Sequence, residues 1–254
     1  MTPAAIDISI LLPALLAGVL VTATHVPLGI QVLKRGIVFI DLAIAQIAGL
    51  GLIFADWLGF APHGWGVQTV ALAAAFTGAA LLTWTERHWP EVQEAVIGVS
   101  FIVAASAATL LLAGNPRGGE HLKELLVGQI LWVTPGKLAV VAIAYALLLA
   151  IWFGLQRRIG RIGFYLVFAC TVTISVQLVG LYLVFATLIL PALVARRFAR
   201  HALLAGYAVS LAGYGLGLAA SAAWDLPSGP AVVCAMTGLA IATAAPALFR
   251  VVRA

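Results

Sequence analysis

The chain is a succession of apolar stretches, most of them close to the length that an α-helix needs to cross a lipid bilayer, about 20 residues. Hydrophobic side chains make up 63% of the residues and charged ones only 9%, whereas soluble domains carry about 25% charged residues. The stretches predict spans near residues 8–27, 36–56, 67–84, 94–113, 136–154, 163–178, 181–195, 203–223 and 230–249. The sequence therefore predicts an all-α polytopic protein of about nine transmembrane helices in membrane lipid, and it excludes a soluble enzyme or a disordered chain.

The basic residues lie in short clusters between the apolar stretches. Lys and Arg number 14 against 9 Asp and Glu, a net charge of +5. Basic clusters in short loops follow the positive-inside rule of membrane proteins, so we expect no nucleic-acid partner. The clusters are Lys34–Arg35, Arg157–Arg158–Arg161, Arg196–Arg197–Arg200 and Arg250–Arg253. Placing every cluster in the cytoplasm gives nine crossings of the cell (inner) membrane, with the N-terminus outside and the C-terminus in the cytoplasm.

One segment does not fit a simple span. Residues 114–135 begin with turn-forming residues and continue as a short apolar segment after Lys123 and Glu124. Because this segment is well under about 17 residues long, we predict a short re-entrant or interfacial helix that faces outward. No repeat, low-complexity tract or soluble domain interrupts the chain. The sequence therefore predicts a single transmembrane domain over residues 1–254.

Asp41 lies inside a predicted span, where ionisable residues are costly and mark functional sites. If the helix begins at Arg35, Asp41 lies roughly 9 Å beyond it at about 1.5 Å per residue. Its carboxylate is a candidate contact for a cation on a transport pathway, and Gln46, five residues later, offers a carbonyl oxygen. The alternative is an ion pair with Lys34, seven residues earlier. A buried structural ion pair is only weakly stabilising, which favours the functional interpretation.

Three further residues are candidates for the metal or substrate pathway. His25 ends the first predicted span, and imidazole is a common ligand of transition metals. An interfacial histidine that only donates a hydrogen bond is the alternative. His121 and Glu124 lie with Glu120 on the outward short segment, where the spacing of the two acids lets them share a helix face that collects cations. The alternative for these acids is a solvated helix start, which acidic side chains favour.

No motif of a catalytic site or of a phosphate-binding loop occurs in the sequence. HExxH and GxSxG are absent, and Gly136-Lys137 is followed by Leu138 rather than Ser or Thr,. Glu94 opens a predicted span, where an acid is explained by the helix dipole alone. The chain is therefore predicted not to be an enzyme, and any ATP hydrolysis that drives it must occur on another chain.

Several motifs in a fixed order resemble those of a known family. They are Pro27-Leu-Gly29 with Leu33-Lys-Arg35 and Asp41, Glu94-Ala-Val-Ile-Gly98, Leu126-Val-Gly128-Gln-Ile-Leu131, Gln177-Leu-Val-Gly180 through Leu190-Pro191-Ala192, and Asp225-Leu-Pro227-Ser-Gly229. Across residues 25 to about 240, these motifs resemble the membrane permease of metal-ion ABC importers, the family that takes up zinc, manganese or iron.

The resemblance implies a homodimeric permease with two kinds of partner. A cytoplasmic ATP-binding subunit would dock below it, and an extracytoplasmic metal-binding protein would deliver the ion. Transport would proceed by alternating access, and the divalent metal ion would be cargo, with no cofactor bound permanently. By position, Asp41 matches the aspartate that the family carries in its membrane segment. The free-energy cost of an ionisable side chain inside a span marks the same residue as a functional candidate.

The sequence departs from the family pattern in two places. The family usually carries a histidine four residues after its aspartate, where this chain has Ala45. Oxygen ligands from Asp41 and Gln46 suit a harder cation such as manganese, with iron(II) open and zinc less expected. His25 or His121 are the remaining sources of a nitrogen ligand. The second departure is the loop at 155–162, which is shorter than the family's, so Arg157, Arg158 and Arg161 are predicted either to dock the ATPase or only to anchor the topology.

Two other functions are compatible with the sequence. An ion-driven secondary carrier would use Asp41 as its proton or ion site and would need no ATPase. A non-transporting membrane assembly factor would need Asp41 only for folding or for a partner. The short loop at 155–162 is the feature that keeps the first of these open. The metal-ion ABC importer permease is the leading hypothesis.

Overall fold

The computed structural model describes residues 8–60, 64–112, 126, 128, 130–155, 158, 160–198 and 200–252, and it is all-helical over these residues. Two single-turn 3-10 helices, Pro90–Val92 and Ile130–Trp132, accompany the α-helices. The α-helices of this part of the chain are α1 Ile8–Arg35, α2 Ile40–Trp57, α3 Trp65–His88, α4 Gln93–Leu112, α5 Pro135–Leu155, α6 Gly160–Val179, α7 Leu181–Ala195, α8 Ala202–Trp224 and α9 Ser228–Val252.

Each predicted span coincides with one of these helices, and the all-α expectation is confirmed. Seven helices, α1 to α6 and α8, are long and apolar enough to cross a membrane by length and composition. α7 has 15 residues and is shorter than these seven helices. The apolar stretch Ser228–Thr243 of α9 is also shorter. The number of nine crossings therefore stays a prediction.

The segment predicted to be re-entrant lies mostly outside the described residues. Of residues 114–135, the structure describes 126, 128 and 130–135. They include the 3-10 turn Ile130–Trp132 and the first residue of α5. The short outward helix stays a prediction.

The chain forms two compact units. Unit 1 comprises Met1–Gly36, Val127–Ile143 and Leu178–Ala254, and unit 2 comprises Ile37–Leu126 and Ala144–Gln177. Unit 1 therefore holds α1, α7, α8 and α9, and unit 2 holds α2, α3 and α4. The prediction of a single domain over 1–254 stays a prediction.

Unit 1 is packed through glycines. α1 contacts α7 and α8, and α9 contacts α7 and α8. A Cβ built on Gly29 of α1 would lie 2.0 Å from the carbonyl oxygen of Leu188 in α7, and one on Gly217 of α8 would lie 2.3 Å from Cα of Val232 in α9. Hydrophobic burial does not drive helices together in lipid, so such close backbone approaches supply the packing energy.

Unit 2 is joined by polar contacts at the helix ends. α2 contacts α3 and α4. At the end of α3, Thr85 donates to Oε1 of Gln93 at 3.0 Å, and Gln93 Nε2 donates to the carbonyl of Leu82 at 3.0 Å. Arg161, at the start of α6, lies 3.6 Å from Glu86 near the end of α3. These contacts bring the end of α3 and the starts of α4 and α6 to one end of unit 2.

The outer faces of α4 and α5 are apolar. Val99, Ile102 and Val103 of α4 are each 61% exposed, and Ile143 and Leu147 of α5 are 65% and 61% exposed. Exposed apolar faces of this kind are rare on a monomer in water, but they suit contact with acyl chains. The exposed residues therefore agree with a multi-pass membrane protein.

Candidate functional site

Asp41 lies in the first turn of α2 and its side chain is fully buried. Neither carboxylate oxygen has a hydrogen-bond or ion-pair partner among the described residues. An ion pair therefore does not explain its burial. A buried carboxylate without a partner is costly, and on α2 itself the positive end of the helix dipole, with the backbone amides of Asp41 and Leu42, offsets part of that cost,. Both oxygens are available to a cation.

The start of α2 is held in place by a residue whose role the sequence did not show. Oε1 of Glu94, in the first turn of α4, accepts a hydrogen bond from the backbone amide of Val38 at 2.7 Å. Val38 lies in the turn that leads into α2, three residues before Asp41. Glu94 is thus a positioning residue for the turn rather than only an acid at a helix start. The bond joins residues 56 positions apart, and no local pattern reveals such a bond.

Gln46 is partly buried on the same helix as Asp41. Five residues at about 100° each separate the directions of the two side chains by roughly 140°. The helix geometry therefore does not favour a shared ion held by Asp41 and Gln46 of the same chain. A place for Gln46 on the pathway stays a prediction.

His25 is fully buried in α1, and its two ring nitrogens differ in their surroundings. Nδ1 lies 3.0 Å from the carbonyl oxygen of Val21 and 3.1 Å from Oγ1 of Thr24. Nε2 is buried and has no hydrogen-bond partner among the described residues. Through Nδ1, His25 is therefore held like an ordinary core histidine. Its other ring nitrogen, Nε2, has no partner among the described residues.

Pro27 interrupts the backbone hydrogen bonding of α1 close to His25,. Pro27 has no N–H, so the carbonyl of Ala23 loses its bond within α1. The hydroxyl of Tyr207 in α8 donates to this carbonyl at 3.4 Å, and Thr22 and Ser210 share a hydrogen bond of 2.7 Å between the same two helices. These contacts satisfy polar groups that lipid could not, and they hold this part of α1 against α8.

The remaining predicted site residues either lie outside the described part of the chain or are exposed. His121, Glu124 and Arg157 lie outside the described residues. Arg158 is exposed, and Arg161 is 47% exposed while it pairs with Glu86. Within the described part of the chain, His, Cys, Asp and Glu form no group of three or more that could hold a metal ion. Among the described residues, the predicted site thus contributes Nε2 of His25 and the two carboxylate oxygens of Asp41 as open ligand atoms, and no closed metal cage.

Sequence comparison relates the chain to membrane transport proteins. A sequence model described as the ABC 3 transport family matches residues 7–159 and 149–246. The high-affinity zinc uptake system membrane protein ZnuB of Haemophilus influenzae is 26% identical over 249 residues, which is 88% of this chain and 92% of the relative. A Chlamydia trachomatis protein named "Probable metal transport system membrane protein" is 24% identical over 259 residues, covering 90% of this chain and 86% of the relative.

A solved structure shares the fold. PsaBC from Streptococcus pneumoniae, determined in complex with a Fab, superimposes with a TM-score of 0.73 at 19% sequence identity. The match covers 92% of this chain and 90% of that chain. The chain therefore shares its fold with this solved protein.

Proposed function

The chain belongs to the ABC 3 transport family, and we propose that it carries a divalent transition-metal ion into the cytoplasm by alternating access. As a member it is a membrane permease of the metal-type ABC importers, a transport component rather than an enzyme. The metal, the inward direction and the separate ATPase belong to the proposal. The resemblance seen in the motifs is confirmed at the level of the family.

The observation that carries the proposal is the unpartnered carboxylate of Asp41. An ion pathway needs contacts that are favourable enough for entry and weak enough for release. A single buried carboxylate meets this requirement, whereas three or four converging ligands would hold the metal. Asp41 also lies in the first turn of a candidate spanning helix. The free-energy cost of placing a charged side chain inside a membrane span makes such a residue a functional candidate.

Partners follow from the same proposal. No phosphate-binding loop occurs in the 254 residues, and a cytoplasmic ATP-binding subunit would hydrolyse the ATP that drives transport. An extracytoplasmic metal-binding protein would deliver the ion, and two copies of the chain would line the pathway as a homodimer. The relative named for high-affinity zinc uptake supports a metal ion as cargo.

The first test is the total metal content of cells, measured by elemental mass spectrometry. A strain without this chain, grown with a chelator, should show a deficit in one transition metal that the restored gene corrects. Unchanged content of every metal, with the protein present in the membrane, would contradict metal import. Uptake that continues after ATP depletion but stops when the ion gradient is collapsed would identify a secondary carrier instead.

Docking of the ATPase is predicted at the basic loop between α5 and α6. Changing Arg157, Arg158 and Arg161 together to Gln should reduce the ATPase that co-purifies with the permease. The matched control is the same change at Arg196, Arg197 and Arg200, a second basic cluster predicted on the same side of the membrane. Undiminished co-purification after the first triple change would show that the loop only anchors the topology. Because Arg161 also pairs with Glu86, the single variant Glu86→Gln, which breaks that pair and keeps all three arginines, separates loss of the pair from loss of docking.

A further inference from the structure

Nε2 of His25 is a fully buried nitrogen without a hydrogen-bond partner among the described residues. Buried polar atoms in folded proteins are nearly always satisfied, so each exception calls for an explanation. Nδ1 of the same ring already makes the contacts expected of a structural histidine. A purely structural role therefore accounts for one ring nitrogen only.

The contacts of Nδ1 determine where the ring carries its hydrogen. The carbonyl oxygen of Val21, 3.0 Å from Nδ1, can only accept a hydrogen bond,. Nδ1 must therefore be the donor. In the neutral ring Nε2 then presents a lone pair. A doubly protonated ring would add a buried charge and a second unsatisfied donor, at a high cost in an apolar environment.

The hydroxyl groups of α8 that reach this part of α1 are engaged elsewhere. Tyr207 donates to the carbonyl of Ala23, and Ser210 is bonded to Thr22. Thr24, next to His25 in sequence, donates to the carbonyl of Val21 at 3.1 Å. These groups hold the helix, and the Nε2 lone pair is left for a ligand that the described residues do not supply.

This arrangement is that of a histidine prepared to bind a metal ion. Histidines that ligate metals usually donate their other ring N–H to a carbonyl or carboxylate, which fixes the tautomer and the ring orientation. Imidazole nitrogen suits zinc, copper, nickel and iron, whereas manganese and magnesium prefer oxygen ligands. The identity of the cargo is therefore linked to whether Nε2 takes part in transport.

We propose, building on the permease function above, that Nε2 of His25 is a transient ligand of the transported ion and makes the importer favour zinc over manganese. Ala45 stands where the family usually has a histidine, and the lack of that nitrogen ligand by itself favours manganese over zinc. His25 supplies a nitrogen ligand from α1 instead. In the described part of the chain His25 belongs to no group of three or more His, Cys, Asp and Glu side chains, which keeps the contact weak enough for release,.

The test is uptake of zinc and of manganese by the complete transporter, with its ATPase and binding protein, in the wild type and in His25→Gln. Loss of a partner in the second shell already costs 10–100-fold in metal affinity, so loss of the ligand should lower zinc uptake at limiting metal by at least about tenfold. Manganese uptake should change by less than about twofold, because oxygen ligands dominate its binding. The matched control is His88→Gln in α3. Nδ1 of His88 also contacts the carbonyl four residues earlier, that of Trp84, at 2.8 Å, but this histidine is exposed. Its ratio of zinc to manganese uptake should equal that of the wild type.

Several outcomes would overturn the inference. Equal loss of zinc and manganese uptake in His25→Gln would assign His25 a structural role, and unchanged uptake of both would remove it from the pathway. If His25→Gln fails to reach the membrane, competition in the wild type decides, because manganese taken up in preference to zinc contradicts the proposal. A wild type that imports no metal at all would instead refute the proposed function.

Discussion

Replacing Asp41 by asparagine should lower metal uptake at limiting metal by at least about tenfold while the protein keeps its amount in the membrane and its stability. Asparagine has nearly the same shape but no negative charge, so the attraction for a divalent cation is lost; a tenfold change corresponds to about 1.4 kcal/mol. Stability should not fall, because the carboxylate has no hydrogen-bond partner to lose. Removing a buried charge without a counter-charge is neutral or stabilising.

The matched control for this variant lies on the same helix. Asp56, close to the other end of α2, is exposed, so Asp56→Asn should leave uptake unchanged. Uptake by cells, membrane abundance and the midpoint of thermal unfolding in detergent are measured together for both variants. Normal uptake by Asp41→Asn would remove Asp41 from the pathway. Reduced uptake with a matching loss of protein from the membrane would assign Asp41 to folding. That is the role expected of Asp41 if the chain is a non-transporting assembly factor.

The second large effect is expected at Gly29. A Cβ at this position would lie 2.0 Å from the backbone oxygen of Leu188, and a backbone atom cannot move aside by a rotamer change. Gly29→Ala should therefore push α1 away from α7 and lower the free energy of unfolding by about 1–3 kcal/mol, the range for overpacked cores. The measurement is the fraction of monodisperse protein that survives a temperature series in detergent.

Gly215 provides the same substitution without the clash. It lies within α8 and no atom approaches a Cβ built there within 4 Å. Gly215→Ala should be neutral or stabilise by up to about 1 kcal/mol, because alanine is the better helix former. Equal behaviour of the Gly29 and Gly215 variants would show that the close approach of α1 and α7 is not needed for stability.

Much of the helical pattern could be predicted because hydrophobicity is a local property of the chain. The span predicted near 136–154 is α5, Pro135–Leu155, and the two short spans predicted near 163–178 and 181–195 are α6 and α7. Gly180, the one residue between α6 and α7, has a φ of 83°, a conformation open to glycine at little cost. The charge-free run of residues 162–195 has two places where it could break or bend, Gly180 and Pro191. The helices separate at Gly180, and Pro191 lies inside α7.

The chemistry of the site could be predicted only in part. Asp41 was found because one charge within an apolar stretch is visible in the sequence. Glu94 was missed as a positioning residue, since its partner Val38 is 56 positions away. Gln46 follows Asp41 by five residues, and an α-helix turns the two side chains in different directions. A place for Gln46 on the pathway stays a prediction.

The sequence by itself determined the solvent, the helices and the candidate residues. In lipid every backbone polar group must be satisfied within the segment, so a long apolar run has almost no alternative to a helix. Only the tertiary structure decided which polar atoms find partners: the carboxylate of Asp41 and Nε2 of His25 do not among the described residues, whereas Nδ1 of His25 does. That distinction depends on contacts of a few ångströms between and within packed helices, and it selects the atoms that remain available to an ion.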